Sequence, residues 1–149
     1  MRAIPALQDV RPDPGGTVTT TYHSSLSTLA ESPAASGVWW SSVARALDDL
    51  AARLEAEAAV DAGPDGALKR AVDDEPTLAA RANSVNAERM ALQVRVHELR
   101  GIVSAHAGDP EHVDMVAKEL ALLSEGEIDY QRKVRAVVWD SLTRDIGGE

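Results

Sequence analysis

A chain of 149 residues and 15.8 kDa is one domain's worth of protein, long enough to bury a core and too short for several. Fifteen Lys and Arg against 24 Asp and Glu leave a formal charge of −9, which argues against a nucleic-acid partner, and the absence of Cys excludes disulfides, thiolate catalysis and Cys-ligated metal. With no Phe and only 3% aromatic residues, the core has to be built from Leu, Val and Ala, a composition that suits helices better than a sandwich or barrel.

Residues 1–37 hold four of the seven Pro and are dense in Ser and Thr. Such a stretch buries too little to offset the entropy of ordering it, so a disordered or weakly helical tail is expected, with a short amphipathic helix around Leu26–Leu29 as its one element. Arg2 is followed by no apolar stretch and no cleavage site, so a cytoplasmic location is expected. No apolar run approaches the ~20 residues of a membrane span, and no membrane partner is expected.

Residues 38–149 read as a helical bundle domain. The first helix is expected over about 38–62, where Trp40, Val43, Leu47, Leu50 and Leu54 fall at steps of 3 and 4. Arg45, Asp48, Asp49 and Arg53 are assigned to its solvent face. Gly63-Pro64 stops it, since Gly tolerates the left-handed cap and Pro cannot continue a helix. A turn of helix over 67–72 leads to Pro76. A second long helix is expected over about 76–107, with Pro76 in its tolerated first turn. Gly108 ends it, Asp109 caps the next with Pro110 at its first position, and that helix runs over about 110–145. Two helices of ~50 Å joined by so short a link must be antiparallel neighbours.

The two long helices carry matching stripes. One is Leu78, Ala82, Val85, Arg89, Leu92, Val96, Leu99 and Val103; the other is Val113, Val116, Leu120, Leu123, Glu127, Tyr130, Val134 and Val137. Both alternate steps of 4 and 3, the spacing of a coiled-coil seam. Folding the chain back at Gly108-Asp109 sets Val103 against Val113, Val85 against Tyr130, and the two charged interruptions, Arg89 and Glu127, against each other. A slip of one heptad would strand both charges, so the pair is expected to act as a register ion pair. The expected fold is therefore all-α: a long antiparallel, coiled-coil-like hairpin with a third helix alongside and a disordered N-terminal tail.

The helix over 38–62 is long enough to cover half of one flank, with Trp40 towards the hairpin tip. Ala80, Ala87, Ala91, Val94 and Ile102, and on the last helix Met115, Leu122, Trp139, Leu142 and Ile146, are apolar residues left over. Leftover apolar surface calls for a homo-oligomer or a partner's helix. Trp40, Trp139, Leu142 and Ile146 are the expected contact surface of a non-catalytic interaction or scaffold module, which stands ahead of a small-ligand sensor and, third, a metal-binding helical bundle enzyme.

Few residues fall in patterns that carry chemistry. His106, Asp109, Glu111 and His112 gather near the tip, but His at helix ends reads as solvated, and no metal or other cofactor is expected. His97-Glu98 opens like a zincin motif, yet Gly101 stands where the second His belongs. Leu123-Ser-Glu-Gly-Glu-Ile is faintly similar to the His-Glu segment of hemerythrin-type bundles, with Ser124 in place of the ligand. No nucleophile elbow or P-loop is present. Glu125, Asp129, Arg132, Ala136 and Asp140 follow the spacing Glu-x3-Ser-x2-Arg-x3-Gln-x3-Asp, which resembles the motif of an anti-sigma helical-hairpin family that binds cyclic di-GMP. The resemblance implies a small-ligand sensor with Glu125, Arg132 and Asp140 as its polar anchors; the Ser and Gln positions depart from it. The ending Gly147-Gly148-Glu149 resembles the tail of a small ubiquitin-like modifier over three residues and also serves as a glycine helix stop.

Overall fold

The computed structural model describes residues 25–147, with side chains described through Thr143. The fold is all-α, with no strand among the described residues. In chain order, α1 spans 25–31, α2 Gly37–Asp61 and α3 Ala67–Asp74. A 3₁₀ turn at Pro76–Leu78 leads into α4, Ala79–His106, and another at Pro110–His112 leads into α5, Val113–Gly147.

The apolar spacing decides which faces are inside. All eight stripe positions from Leu78 to Val103 are buried, as are those from Val113 to Val137 except Val134, which is half-buried. The helices α4 and α5 run antiparallel side by side, tied at their outer edges by Arg81–Asp140 at 2.5 Å and Lys133–Glu88 at 2.8 Å. At the tip, Gly108 takes φ +89°, a conformation that L side chains rarely adopt, and the Asp109 N–H donates to the His106 carbonyl at 2.9 Å. That turn reverses the chain within five residues.

Helix α2 packs mainly on α4 and runs antiparallel to it, since Asp48 reaches Arg100 at 2.9 Å and Asp61 reaches Arg89 at 2.6 Å. Its Trp40, Val43, Leu47, Leu50 and Leu54 are buried as the spacing requires, and each such side chain contributes about 1.5–3 kcal/mol of burial. Because α2 stops at Asp61, it covers the tip half of the hairpin. Part of the base half is covered by the short α3, which packs mainly on α5 through Leu68 and Ala71. Gly66 permits the change of direction between them. A Cβ there would lie 2.6 Å from Asp61 Cα, so only Gly lets the link pass so close to the end of α2.

A helix also precedes α2 and packs on the bundle. Residues 25–31 are helical, Leu26 is buried, Ser27 Oγ lies 3.1 Å from Ser124 Oγ, and Trp39 Nε1 donates to the Leu29 carbonyl at 3.0 Å. The short helix expected around Leu26–Leu29 is thus present, and it docks through buried Leu26 with Leu29 and Ala30 packed against the core. Residues 1–24 of the expected tail lie outside the described residues. No helix is long and apolar enough to cross a membrane among those described.

Candidate functional site

The middle of the bundle holds a cluster of charge. Arg53, Glu57 and Asp61 follow one another at steps of four along α2, so they share one face, and that face looks onto the α4–α5 seam. Arg53 bonds Glu57 at 3.0 Å with one guanidinium nitrogen and Glu127 on α5 with another. Glu57 also accepts from the Tyr130 hydroxyl at 2.8 Å and from Gln131 Nε2 at 3.3 Å, and the same Gln131 nitrogen donates to Glu127 at 3.2 Å. Arg89 donates to Asp61 at 2.6 Å and lies against Tyr130. Two guanidiniums thus face three carboxylates.

Burial sets the protonation of this cluster. Glu127 is 0% exposed, and its desolvation pushes the carboxyl above the ordinary range against the pull of Arg53 and Gln131. Burial and the Glu57 carboxylate push the Tyr130 phenol far up, so it serves as a hydrogen-bond donor. For Arg89, burial works downwards, but bonding to Tyr130 and Asp61 outweighs it and keeps the guanidinium charged.

The two seam charges expected to meet are both buried, but they do not pair with each other. Arg89 takes Asp61 and Glu127 takes Arg53, so each is neutralised from α2. On α5, Arg89 meets Tyr130, about one turn beyond Glu127. The reason is steric and electrostatic together. A third helix crossing the seam offers each charge a partner from the side, and the long Arg89 side chain reaches along the groove to it. Arg53 is a matching correction: it leaves the solvent face assigned to it and is only 13% exposed, while Arg45, Asp48 and Asp49 stay outside. Arg53, Glu57 and Asp61 supply the counter-charges that the seam stripes alone do not name. Their signal was present as two seam charges that needed counter-charges and a third helix carrying them at i, i+4 and i+8.

The remaining expected site residues are scattered. Trp40 is 3% exposed and stands edge-on to Trp39 with ring centroids 5.2 Å apart, so it belongs to the core and cannot form a contact surface. Its position one helical turn from Val43 and two from Leu47 puts it on the inward stripe. Glu125 and Arg132 point outwards, Arg132 pairs with Asp129 at 3.5 Å, and Asp140 is held by Arg81. These three anchors of the dinucleotide motif, spaced seven and eight residues apart on one face of α5, line none of the four cavities formed by described residues at the tip, the charged cluster, the base groove and the outer face of α2. Ile146 lies outside the described side chains. Trp139 and Leu142 are exposed, at 65% and 51%.

Several features among the described residues could therefore receive something. The charged cluster borders a cavity of about 320 Å³ lined by Glu57, Asp61, Tyr130, Gln131 and apolar side chains. Its polar groups are already engaged with one another, which makes it a joint between helices first. A cleft of about 800 Å³ lies between the start of α2 and the end of α4 at the tip, bordered by Trp40, His97 and Arg100. An apolar groove of about 480 Å³ runs along the base of α5, lined by Val134, Arg135, Val138, Trp139 and Leu142. At the tip, ligand atoms of His106, Asp109 and His112 all lie within 4.8 Å of one another. Compared with known proteins, the chain matches no family model, no curated protein and no solved structure.

Proposed function

We propose that the chain is a non-catalytic helical interaction module that self-associates through the base of α5. The observation that carries this reading is Trp139. Of the three Trp in the chain, Trp39 and Trp40 are 5% and 3% exposed, whereas Trp139 is 65% exposed beside an apolar groove. An indole in water forgoes one of the largest burial terms available to a side chain. The patch offers a projecting ring and, next to it, a hollow walled by Val134, Val138 and Leu142. A surface that holds both knob and hole is complementary to itself under a two-fold axis, which favours a second copy as the occupant.

Sedimentation velocity from about 1 µM to about 1 mM chain tests it. A concentration-dependent dimer is expected, reduced to monomer by Trp139→Glu and unchanged by Val94→Glu, an exposed apolar site on α4. A wild-type chain that stays monomeric throughout overturns the proposal, as does a dimer lost with Val94→Glu and kept with Trp139→Glu.

A further inference from the structure

The hairpin tip carries a second constellation that the interaction reading does not use. His106 is the last residue of α4 and His112 the last of the 3₁₀ turn before α5, with Asp109 midway between them. The sequence suggests two separate solvated imidazoles. Instead the rings stack with centroids 3.7 Å apart and planes 10° from parallel. The backbone enforces this: Gly108 at φ +89° and the Asp109 N–H to His106 carbonyl bond bring the two helix ends together.

Asp109 is fixed by both its oxygens. Oδ1 accepts the Glu111 N–H at 2.9 Å, and Oδ2 lies 2.8 Å from His112 Nδ1. These contacts, the backbone bond first, hold the carboxyl below its ordinary range, so it is an anion at neutral pH. Two imidazoles and one carboxylate, each half-buried, thus present ligand atoms within 4.8 Å of one another. Residues 109–114 also include Glu111 and Asp114 and no Lys or Arg, so the field there favours a cation.

We infer that His106, Asp109 and His112 form a binding site for a divalent transition-metal ion of the zinc class. The donor set selects the class. Two nitrogens and one oxygen suit zinc, cobalt or nickel, whereas calcium and magnesium take oxygen ligands. The ion takes the place of the proton shared between His112 Nδ1 and Asp109 Oδ2, and that proton moves to His112 Nε2, so the ring stays neutral. The stacked rings must splay from parallel for both lone pairs to meet one ion. Three protein ligands leave at least one position for water or for a side chain from elsewhere.

Isothermal titration of the full chain with zinc chloride, followed by a nickel titration, tests the site. One ion per chain is expected. His106→Ala and His112→Ala should each weaken binding about tenfold or more, the scale at which even outer partners of metal sites act. Asp109→Asn, which keeps a capping side chain, should do the same without loss of helix content by circular dichroism. His97→Ala, on the exposed face of α4, should leave the titration unchanged. The inference is overturned if no heat of binding appears by about 1 mM metal, or if the His106 and His112 variants bind as the wild type does. Neither outcome bears on the dimer, which lies at the opposite end of the hairpin.

Discussion

At the scale of single residues, the energetics turn on Glu127. A carboxylate with no solvent exposure is tolerated only while its counter-charge is held in place, and Arg53 supplies that charge from α2. Replacing Arg53 by Leu leaves a buried anion with Gln131 as its donor and should cost about 3–5 kcal/mol in urea unfolding. The double variant Arg53→Leu, Glu127→Leu should recover most of that loss, because the desolvation penalty leaves with the charge. Arg81 and Asp140 make a shorter contact than many pairs in the cluster, yet both are about half exposed, so Arg81→Ala should cost no more than about 1 kcal/mol. If Arg53→Leu proves as mild as Arg81→Ala, the cluster does not carry the weight assigned to it.

At the scale of elements, the helices differ in how readily the sequence reveals them. The seams of α4 and α5 are legible because a 4-3 repeat leaves few ways to place an apolar stripe, and all eight stripe positions between Leu78 and Val103 are inside. The rotation of α2 about its axis is a different matter. Its Leu and Val stripe sets one direction, but Arg53 sits at the edge of that stripe. Whether such a residue faces water or protein depends on which charges lie across from it, and those belong to other helices. The helix α1 is legible as a short amphipathic segment, but its docking is not, since it rests on buried Leu26, half-buried Leu29 and Ala30, one pair of hydroxyls and one indole bond. So slender an attachment should open on its own. Leu26→Ala should remove about 2 kcal/mol or more of packing. Hydrogen exchange would show the outcome as faster exchange of the amides of residues 29–31 while those of α4 keep their protection; equal loss throughout would mean that α1 is part of the cooperative core.

At the scale of the whole molecule, the raised and lowered carboxyls give the stability a pH profile whose sign can be worked out. The Glu127 carboxyl titrates above the ordinary 4.5 in the folded chain, so between that value and its raised one the folded state holds more protons than the unfolded. Stability therefore falls as pH rises through this window. Asp109 behaves in the opposite way. Its carboxyl titrates below the ordinary 3.8, so it contributes stability above that value and loses it as pH falls through the lowered one. The two windows do not overlap, which makes them separable in one experiment. Urea unfolding across the range from about pH 3 to about pH 8 should show a maximum near the ordinary carboxylate range, with Asp109 responsible for the acid limb and Glu127 for the other. Glu127→Gln keeps the shape and the hydrogen-bonding capacity of the side chain but cannot ionise, and Arg53 retains Glu57 as a partner. That variant should flatten the limb above pH 4.5 and leave the acid limb in place. An unchanged upper limb in Glu127→Gln would show that the buried carboxyl keeps its ordinary titration. The opposition between burial and the Arg53 charge would then be settled in favour of the ion pair.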